Sequence, residues 1–345
     1  MHSRHFFSRA LSPVSSNMYD LIGDIHGHAT ELEQLLEELG YKQEEGRYRH
    51  PGRKAVFLGD FIDRGHQIRE VLAIVRPMID SGDALAVMGN HEFNALAYHT
   101  EDPGDPGQYL RRHIKKNIDQ HKATIEQLQG EIKDAVDWFR ELPIWLELED
   151  ENGQPLRIVH ACWDDAQLQV ISESLERYGG VSTEFLAEAS RKSSTLYDAI
   201  ECVLKGPELP LPNGKTIKDK QGYERRDIRI QWYREPGYEK KETYSQYSLP
   251  PLPRADDTPD EITRQDYEEK TRSCRPYPED APPVFIGHYW LTEEPELLAP
   301  NIACTDYSVA DELTEAERSL CAYRWDGEQR LDSANFKRVE AIPHQ

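Results

Sequence analysis

The chain has 345 residues, of which 41 are Lys or Arg and 63 are Asp or Glu, so its formal net charge is −22. Such an acidic chain is repelled by nucleic acid and by anionic membranes, which disfavours both as partners. No run approaches the roughly 18 apolar residues of a membrane span. The length predicts one large domain or two ordinary ones, and a hydrophobic content of 38% indicates a globular chain rather than a disordered one.

The first predicted element is a disordered tail over residues 1–17, because this stretch lacks the continuous apolar run of a signal peptide. We expect one folded domain over residues 18–345. The five cysteines are scattered, odd in number and without a CxxC pair. They indicate reduced thiols and a cytoplasmic protein rather than a disulfide framework or a zinc site.

Five short apolar runs follow along the chain, and each ends in a glycine with a polar neighbour or in a lone histidine. Their nearly continuous apolar character predicts strands that are buried on both faces. The runs are Tyr19–Ile22, Lys54–Leu58, Ala84–Met88, Leu156–Val159 and Pro283–Ile286.

Three helical patterns lie between the first four of these strands. Thr30, with a glutamate three residues later, predicts a capping box for a helix that ends at Gly40. A second helix is predicted over Gln67–Val75, ending or kinking near Pro77, and a third over Ile118–Phe139. Strands that alternate with helices indicate an α/β fold.

The second half of the chain is less regular. The stretches Cys202–Arg234 and Ser245–Pro283 are predicted to be loops or insertions, within a variable cap over about residues 166–281. The first stretch contains a basic island, Lys215–Arg234, which holds seven Lys or Arg against three Asp or Glu. A local charge reversal in an acidic chain indicates a place that can attract phosphate.

Polar side chains follow all five predicted strands. In an open α/β sheet such residues meet at the carboxyl edge, where ligands bind. A single Asp or His after a strand is usually a turn or core residue. The whole set, in this order and each member after a strand, is not explained in that way and indicates a functional site. Carboxylate, amide and imidazole groups gathered at one edge suit two divalent cations that share one carboxylate. The residues are Asp24, His26, Asp60, Asn90, His91, His160 and His288.

Three motifs carry a resemblance to a known family: Gly-Asp-Ile-His-Gly-His from Gly23, Gly-Asp-Phe-Ile-Asp-Arg-Gly from Gly59 and Gly-Asn-His-Glu from Gly89. They resemble the signature of calcineurin-like metallophosphoesterases, in the branch of Ser/Thr protein phosphatases and symmetrical diadenosine tetraphosphatases. The resemblance implies a two-sheet αββα sandwich with a variable cap insertion. The stretch from Lys205 to Trp232 is similar to that of bacterial phosphatases related to polynucleotide kinase-phosphatases.

The resemblance also implies a ligand set for two metal ions. One ion would be held by Asp24, His26 and a bridging Asp60, and the other by Asp60, Asn90, His160 and His288. The family's reaction is direct attack on phosphorus by a metal-bridging hydroxide. Manganese is the metal we expect, with iron, zinc, cobalt and nickel as alternatives.

The same resemblance assigns the remaining site residues. His91 would protonate the leaving oxygen while Asp63 holds it in orientation, and Arg64 would clamp phosphate oxygens. Asn90 and His91 would contact the phosphate as well. A second phosphate-binding arginine has no motif to align it. The candidates are Arg225, Arg226 and Arg229 in the basic island, for which a solvated loop face is the alternative interpretation.

Three substrate classes are compatible with this site. We place a phosphomonoesterase of Ser/Thr protein phosphatase type first, because Asp63-Arg64-Gly65 and His288-Tyr289-Trp290 fit that branch. A symmetrical bis(5'-nucleosyl)-tetraphosphatase and a polynucleotide-end phosphatase are the alternatives. A catalytically dead binding module would have lost a metal ligand or His91, and none is lost. The expected partner is therefore a phosphorylated protein or a nucleotide, and not a membrane.

Overall fold

The computed structural model describes residues 18–150, 152–218, 224–252, 261–270, 275–310 and 318–342. The tail predicted over residues 1–17 lies outside the described residues. The strands, in chain order, are β1 (Tyr19–Ile22), β2 (Lys42–Glu44), β3 (Arg47–Arg49), β4 (Lys54–Phe57), β5 (Ala84–Ala86), β6 (Trp145–Glu149), β7 (Pro155–Val159), β8 (Glu208–Pro210), β9 (Ile217–Lys218), β10 (Glu224–Arg225), β11 (Asp227–Arg229), β12 (Val284–Ile286), β13 (Leu297–Ala299), β14 (Ile302–Cys304), β15 (Asp306–Tyr307), β16 (Ser319–Trp325) and β17 (Phe336–Glu340).

Helices lie in some of the connections between these strands. In chain order they are α1 (Ala29–Glu38), α2 (Ile68–Asp80), α3 (Asn90–His99), α4 (Lys115–Gln127), α5 (Ile132–Phe139), α6 (Asp165–Tyr178), α7 (Thr183–Ala189), α8 (Thr195–Lys205), α9 (Tyr244–Tyr247) and α10 (Arg264–Lys270). Short 3-10 turns lie at Pro212–Gly214, Tyr238–Lys240 and Ser333–Asn335. No helix in the described part of the chain is both long and apolar enough to cross a membrane.

Two sheets form the centre of the fold. The first has the strand order β15-β16-β1-β4-β5, with β17 paired to β16, and its strands β1, β4 and β5 are parallel. The second has the order β13-β14-β12-β7-β6, with β7, β12 and β14 parallel. All five predicted strands are therefore confirmed, within two residues at each end, as β1, β4, β5, β7 and β12.

The two sheets pack face to face. Leu21, Val56 and Leu58 of the first sheet share a core cluster with Ile158 and Phe285 of the second. The alternate residues of the same strands turn the other way and join a larger cluster with the helices, as the period of two in a strand requires. Burial on both faces explains the continuous apolar runs. The predicted two-sheet sandwich flanked by helices is confirmed.

The predicted helix boundaries need three corrections. Helix α1 begins at Ala29, so Thr30 lies inside it, and its N–H and hydroxyl both donate to Gln67 Oε1 at 3.1 Å instead of forming a capping box. Helix α2 continues through Pro77 to Asp80, because burial of its last turn outweighs one missing backbone hydrogen bond.

The third correction concerns the helix predicted over residues 118–139. The chain forms two helices there, α4 and α5, separated near Gly130, whose φ of +77° is left-handed. A glycine in this conformation ends a helix because other residues rarely adopt it. The seven-residue apolar spacing continues across the break, so the spacing alone does not reveal it.

The predicted cap over residues 166–281 contains two differently packed parts. Helices α6, α7 and α8 contribute Ile171, Phe185 and Val203 to the larger core cluster. Residues from Leu209 to Tyr267 build a separate small cluster around β8 and β11. The boundaries of the insertion stay a prediction.

Candidate functional site

The carboxyl ends of the parallel strands from both sheets meet at one place in the fold. The exits of β1, β4 and β5 lie beside those of β7 and β12, and the His160 Nδ1–H donates to Leu58 O at 2.7 Å across the two sheets. Six of the seven side chains predicted for this edge are buried, and His91 is 12% exposed. The structure brings together Asp24, His26, Asp60, Asn90, His91, His160 and His288.

Asp60 lies between two groups of imidazole rings. Its Oδ2 is 3.5 Å from His26 Nε2 and 3.4 Å from His160 Nε2, and His91 Nε2 lies 3.9 Å away. One group of possible ligand atoms joins Asp60 to His26 and His91, and a second joins it to His160 and His288. A single carboxylate common to both groups is the arrangement that two neighbouring cations require.

Asn90 and Asp24 contact the two histidines of the second group, His160 and His288. The Asn90 Oδ1 lies 3.1 Å from His160 Nε2. The Asp24 carboxylate accepts the backbone N–H of His288, with Oδ1 at 3.2 Å and Oδ2 at 3.1 Å. The loops after β1 and β12, which belong to different sheets, are thereby joined at two of the predicted ligand positions.

The imidazole hydrogen bonds indicate that cations fit here. His26 Nδ1 and His160 Nδ1 each face a backbone carbonyl at 2.7 Å, so both Nδ1 atoms must carry a hydrogen, and Nε2 is the atom of each ring that can bind a metal. The Nε2 atoms of His26 and His288 are buried and make no hydrogen bond to any described residue. Lone pairs that converge on carboxylate and amide oxygens suit a metal ion, with the ring fixed from behind.

The electrostatics of the cluster agree with this interpretation. Burial lowers the pKa of His26 and of His288 well below the usual range, which keeps both rings in the neutral form that binds metals. Burial opposes protonation of His160 too, but the carboxylates of Asp60 and Asp24 raise its pKa to about 10. Burial, followed by Asp306, raises the pKa of Asp24 well above its usual range. The cluster therefore favours positive charge at its centre, and a cation would offset the buried carboxylates.

The backbone at the strand exits is strained. His26, Asp60 and His288 have φ values of 44°, 53° and 73°, which side chains other than glycine rarely adopt. A Cβ on Gly89 would lie 2.2 Å from Asp60 Oδ1, and one on Gly287 would lie 2.1 Å from Asp24 Oδ1. Glycine at these two positions therefore allows the carboxylates of Asp60 and Asp24 to approach the backbone closely. Strain of this kind concentrates at functional sites.

Glu92 is an anchor of the site that sequence reasoning missed. Its fully buried carboxylate accepts the backbone N–H groups of Asp60 and Phe61 at 2.8 Å and of Gly89 at 3.0 Å. Burial, followed by the charge of Asp60, raises its pKa to about 8. Glu92 thereby holds the exits of β4 and β5 together behind the cluster. Its place in the Gly-Asn-His-Glu motif is the only signal in the sequence.

His91 and Asp63 form the predicted histidine–carboxylate pair. The Nδ1–H of His91 donates to Asp63 Oδ2 at 2.6 Å, and Asp63 is buried. Its other oxygen faces His121 Nδ1 at 2.8 Å and the hydroxyl of Thr124. Burial would raise the pKa of Asp63, but these partners, His121 first, hold it well below the usual range. His121 and Thr124 lie on α4 and were not predicted, because no local motif joins them to Asp63.

A cavity of about 560 Å³ opens in front of these residues. The Arg64 guanidinium stacks on the Trp290 ring at 3.8 Å, and its Nε is buried without a hydrogen bond to any described residue. Arg229, whose Nε is buried in the same way, lines the cavity, and so does Arg225. Arg226 is exposed and is absent from the cavity lining in the described part of the chain. The cationic side chains that line the cavity are Arg64, Arg111, Lys116, Lys205, Arg225 and Arg229.

Comparisons with known proteins agree with the motifs. The model of the family described as calcineurin-like phosphoesterase matches residues 19–235. An asymmetrical bis(5'-nucleosyl)-tetraphosphatase PrpE from a Geobacillus species is 42% identical over 144 residues, which are 41% of this chain and 56% of that protein. A symmetrical bis(5'-nucleosyl)-tetraphosphatase from a Marinomonas species is 29% identical over 161 residues, 45% of this chain and 50% of that protein. The chain spans about half the length of these curated relatives.

Two solved structures align with most of this chain at low sequence identity. A putative diadenosine tetraphosphatase aligns with 96% of this chain and 97% of its own, at a TM-score of 0.46 and 15% identity. A protein serine/threonine phosphatase from Saccharomyces cerevisiae aligns with 95% of this chain and 81% of its own, at a TM-score of 0.46 and 12% identity.

Proposed function

Because the chain belongs to the calcineurin-like phosphoesterase family, we propose that it hydrolyses phosphoric esters with the help of two divalent cations. The observation that carries this proposal is the buried Asp60 carboxylate, whose Oδ2 lies about equally far from the Nε2 atoms of His26 and His160. A carboxylate in this position can belong to two ligand sets at once.

The two groups of side chains around Asp60 supply most of each proposed ligand set, and the family resemblance adds Asp24 and Asn90 and omits His91. Two bound cations would lower the pKa of a shared water molecule and neutralise charge on the phosphoryl oxygens. The oxygen and imidazole donors suit manganese, which we propose, and equally admit iron, cobalt, nickel or zinc. One cation would be held by Asp24, His26 and Asp60, and the other by Asp60, Asn90, His160 and His288.

The protein's own side chains would bind the phosphoryl group and supply the proton. The Nε2 of His91 faces the cavity side of the cluster, so we assign it the role of general acid toward the leaving oxygen. Asp63 fixes the tautomer of that ring through its bond to Nδ1. The guanidinium of Arg64, which lies over the Trp290 ring, would donate two hydrogen bonds to phosphate oxygens. Asn90 also lines the cavity.

The charge of the cavity favours a substrate with several phosphates. Six Arg and Lys side chains line it, although the whole chain carries a net charge of −22. A single phosphate needs fewer cations than this, whereas a dinucleoside tetraphosphate carries further charges that must be neutralised beyond the reacting group. The curated relatives named as bis(5'-nucleosyl)-tetraphosphatases support the same choice. We therefore propose a dinucleoside polyphosphate as the substrate.

A phosphomonoesterase of Ser/Thr protein phosphatase type is the second candidate. It is favoured by Arg64 on its Trp290 platform, which together with the metal-ligand cluster is enough to hold one phosphate. A polynucleotide-end phosphatase ranks below both, because a net charge of −22 opposes binding of a long polyanion. The expected cytoplasmic location stays a prediction.

Removal of metal tests the proposed reaction class. Treatment with a strong chelator should abolish hydrolysis of an aryl phosphate, because it removes the cations that would lower the pKa of the attacking water and neutralise charge on the phosphoryl oxygens. Addition of manganese should restore the rate, together with about two ions per chain by elemental analysis. Full activity of metal-free protein in chelator would contradict the proposal.

Three arginines of the basic island test the choice of substrate. We expect Arg229→Ala to lower kcat/KM about 10- to 100-fold for both diadenosine tetraphosphate and an aryl phosphate, because its Nε is buried and its charge is close enough to add to burial in lowering the pKa of His288. Arg225→Ala should lower kcat/KM about 10-fold for the tetraphosphate only. Arg226→Ala is the matched control and should change neither, since this exposed side chain lies outside the cavity.

Side-by-side rates on unaltered protein decide between the two candidate functions. A kcat/KM for a phosphopeptide well above that for diadenosine tetraphosphate would overturn the polyphosphate proposal. Equal losses in Arg225→Ala and Arg226→Ala would show that these arginines act through general charge and not through contacts in the cavity.

A further inference from the structure

A buried row of hydrogen-bonding side chains runs from His91 away from the cavity. Asp63 Oδ2 accepts from His91 at 2.6 Å, and Asp63 Oδ1 faces His121 Nδ1 at 2.8 Å. His121 Nε2 in turn lies 3.1 Å from His99 Nε2. Asp63 is 3% exposed and His121 is 4% exposed, while His99 at the end of α3 is only half-buried. The row therefore joins the cavity to the protein surface.

The chemistry of these groups determines where the hydrogens lie. An ionised carboxylate can only accept, so the Nδ1 atoms of both His91 and His121 must carry hydrogen. The 3.1 Å distance between His121 Nε2 and His99 Nε2 requires that one of these atoms carries the hydrogen and the other accepts it. Burial, followed by His121, lowers the pKa of His99 to about 4, which is consistent with a neutral ring there. A hydrogen on one of these two Nε2 atoms thus excludes a hydrogen on the other.

Asp63 is held more firmly than a histidine–carboxylate pair alone requires. Its Oδ1 accepts from His121 and from the hydroxyl of Thr124, and that same hydroxyl accepts the Asp63 backbone N–H at 2.9 Å. These contacts restrain rotation of the carboxylate about its Cβ–Cγ bond. They also stabilise its negative charge in a buried place.

We propose that His121 is a positioning residue for the reaction, which acts through Asp63 on His91, and that His99 supports it by restraining the His121 ring through the contact between their Nε2 atoms. This inference rests on the proposed function, since it assumes that His91 protonates a leaving group. With the His121 donor removed, the Thr124 hydroxyl is the remaining donor to Asp63 Oδ1 among the described contacts, so the carboxylate rotates more easily and holds the His91 ring less firmly toward the leaving oxygen. Proton donation should suffer, whereas binding of phosphate and metal should not.

Two substitutions at the same position provide the test. His121→Leu removes the donor to Asp63, whereas His121→Asn keeps an N–H near the position of Nδ1. On phenyl phosphate, whose leaving group needs a proton, we expect kcat of His121→Leu to fall about 10-fold. On 4-nitrophenyl phosphate, whose leaving group needs little protonation, kcat should fall less than about threefold. KM and metal content should not change, and His121→Asn should recover most of the lost rate.

Controls separate positioning from a general structural effect. His113→Leu alters a neighbouring exposed histidine that stacks between Tyr98 and Tyr109, outside the row, and should leave both rates unchanged. If His121→Leu fails to fold, the half-buried His99→Leu should show a smaller loss with the same dependence on the leaving group. Equal losses on both esters, or no rescue by His121→Asn, would overturn the inference. Failure of the unaltered protein to hydrolyse either ester would instead contradict the proposed function.

Discussion

Replacement of Asp60 by Asn should cause the greatest loss of activity among single ligand changes, about 10³-fold or more. Asp60 Oδ2 is the oxygen that faces both His26 and His160, and Oδ1 accepts the backbone N–H of His91 at 2.9 Å. An amide has only one accepting oxygen, so it cannot serve all these partners, and it supplies no negative charge. Lewis-acid stabilisation is worth several kcal/mol, and about 4 kcal/mol corresponds to 10³ in rate.

Metal content and rate should be measured together on Asp60→Asn. We expect fewer than two ions per chain, because the change weakens both ligand sets at once. Asp164→Asn is a matched control: this buried carboxylate caps α6 by accepting N–H groups of Ala166 and Gln167 at 3.0 Å, and Asn caps a helix equally well. It should keep metal and activity. Two tightly bound ions in active Asp60→Asn would contradict the bridging role.

The strands that carry the site are predictable from sequence, whereas several helix ends are not. A strand buried on both faces has to be apolar at every position, so β1, β4 and β12 are visible as short apolar runs. Helix ends depend on contacts with distant residues. Gln67 binds the N-terminal turn of α1 and makes a local cap at Thr30 unnecessary, and no local pattern of α1 contains that contact.

The same distinction applies to the side chains of the site. The side chains proposed as metal ligands follow strands closely, so topology alone brings Asp24, Asp60 and His288 to one edge. His121 lies 58 positions after Asp63 on a helix without a motif, and only the packing of α4 brings the two together. The basic island was predictable as a region, but which of its arginines enters the cavity depends on the alternation of side chains near β11. Arg229 is directed inward there and Arg226 is exposed.

Replacement of His91 by Ala should separate the general acid from the metal ligands. We expect kcat on phenyl phosphate to fall about 10²–10⁴-fold, because the leaving oxygen then departs without a proton. The loss on 4-nitrophenyl phosphate should be much smaller, since this leaving group is stable as an anion. Metal content should stay that of the unaltered protein, because the ligand set proposed for each cation omits His91.

Metal content distinguishes two possible roles of His91, those of general acid and metal ligand, because the ring lies close to Asp60 and His26. Its Nε2 lies 3.9 Å from Asp60 Oδ2, and its ring packs edge-on against His26 with centroids 4.6 Å apart, so a metal-ligand role has a definite signature. Loss of an ion from His91→Ala, with equal rate losses on both esters, would make His91 a ligand and not an acid. His66→Ala is the matched control, because His66 is exposed on the loop that carries Asp63 and lies outside the cavity lining. His66→Ala should hydrolyse both esters at the rates of the unaltered protein. A loss in His91→Ala would then come from the His91–Asp63 pair and not from removal of any nearby imidazole.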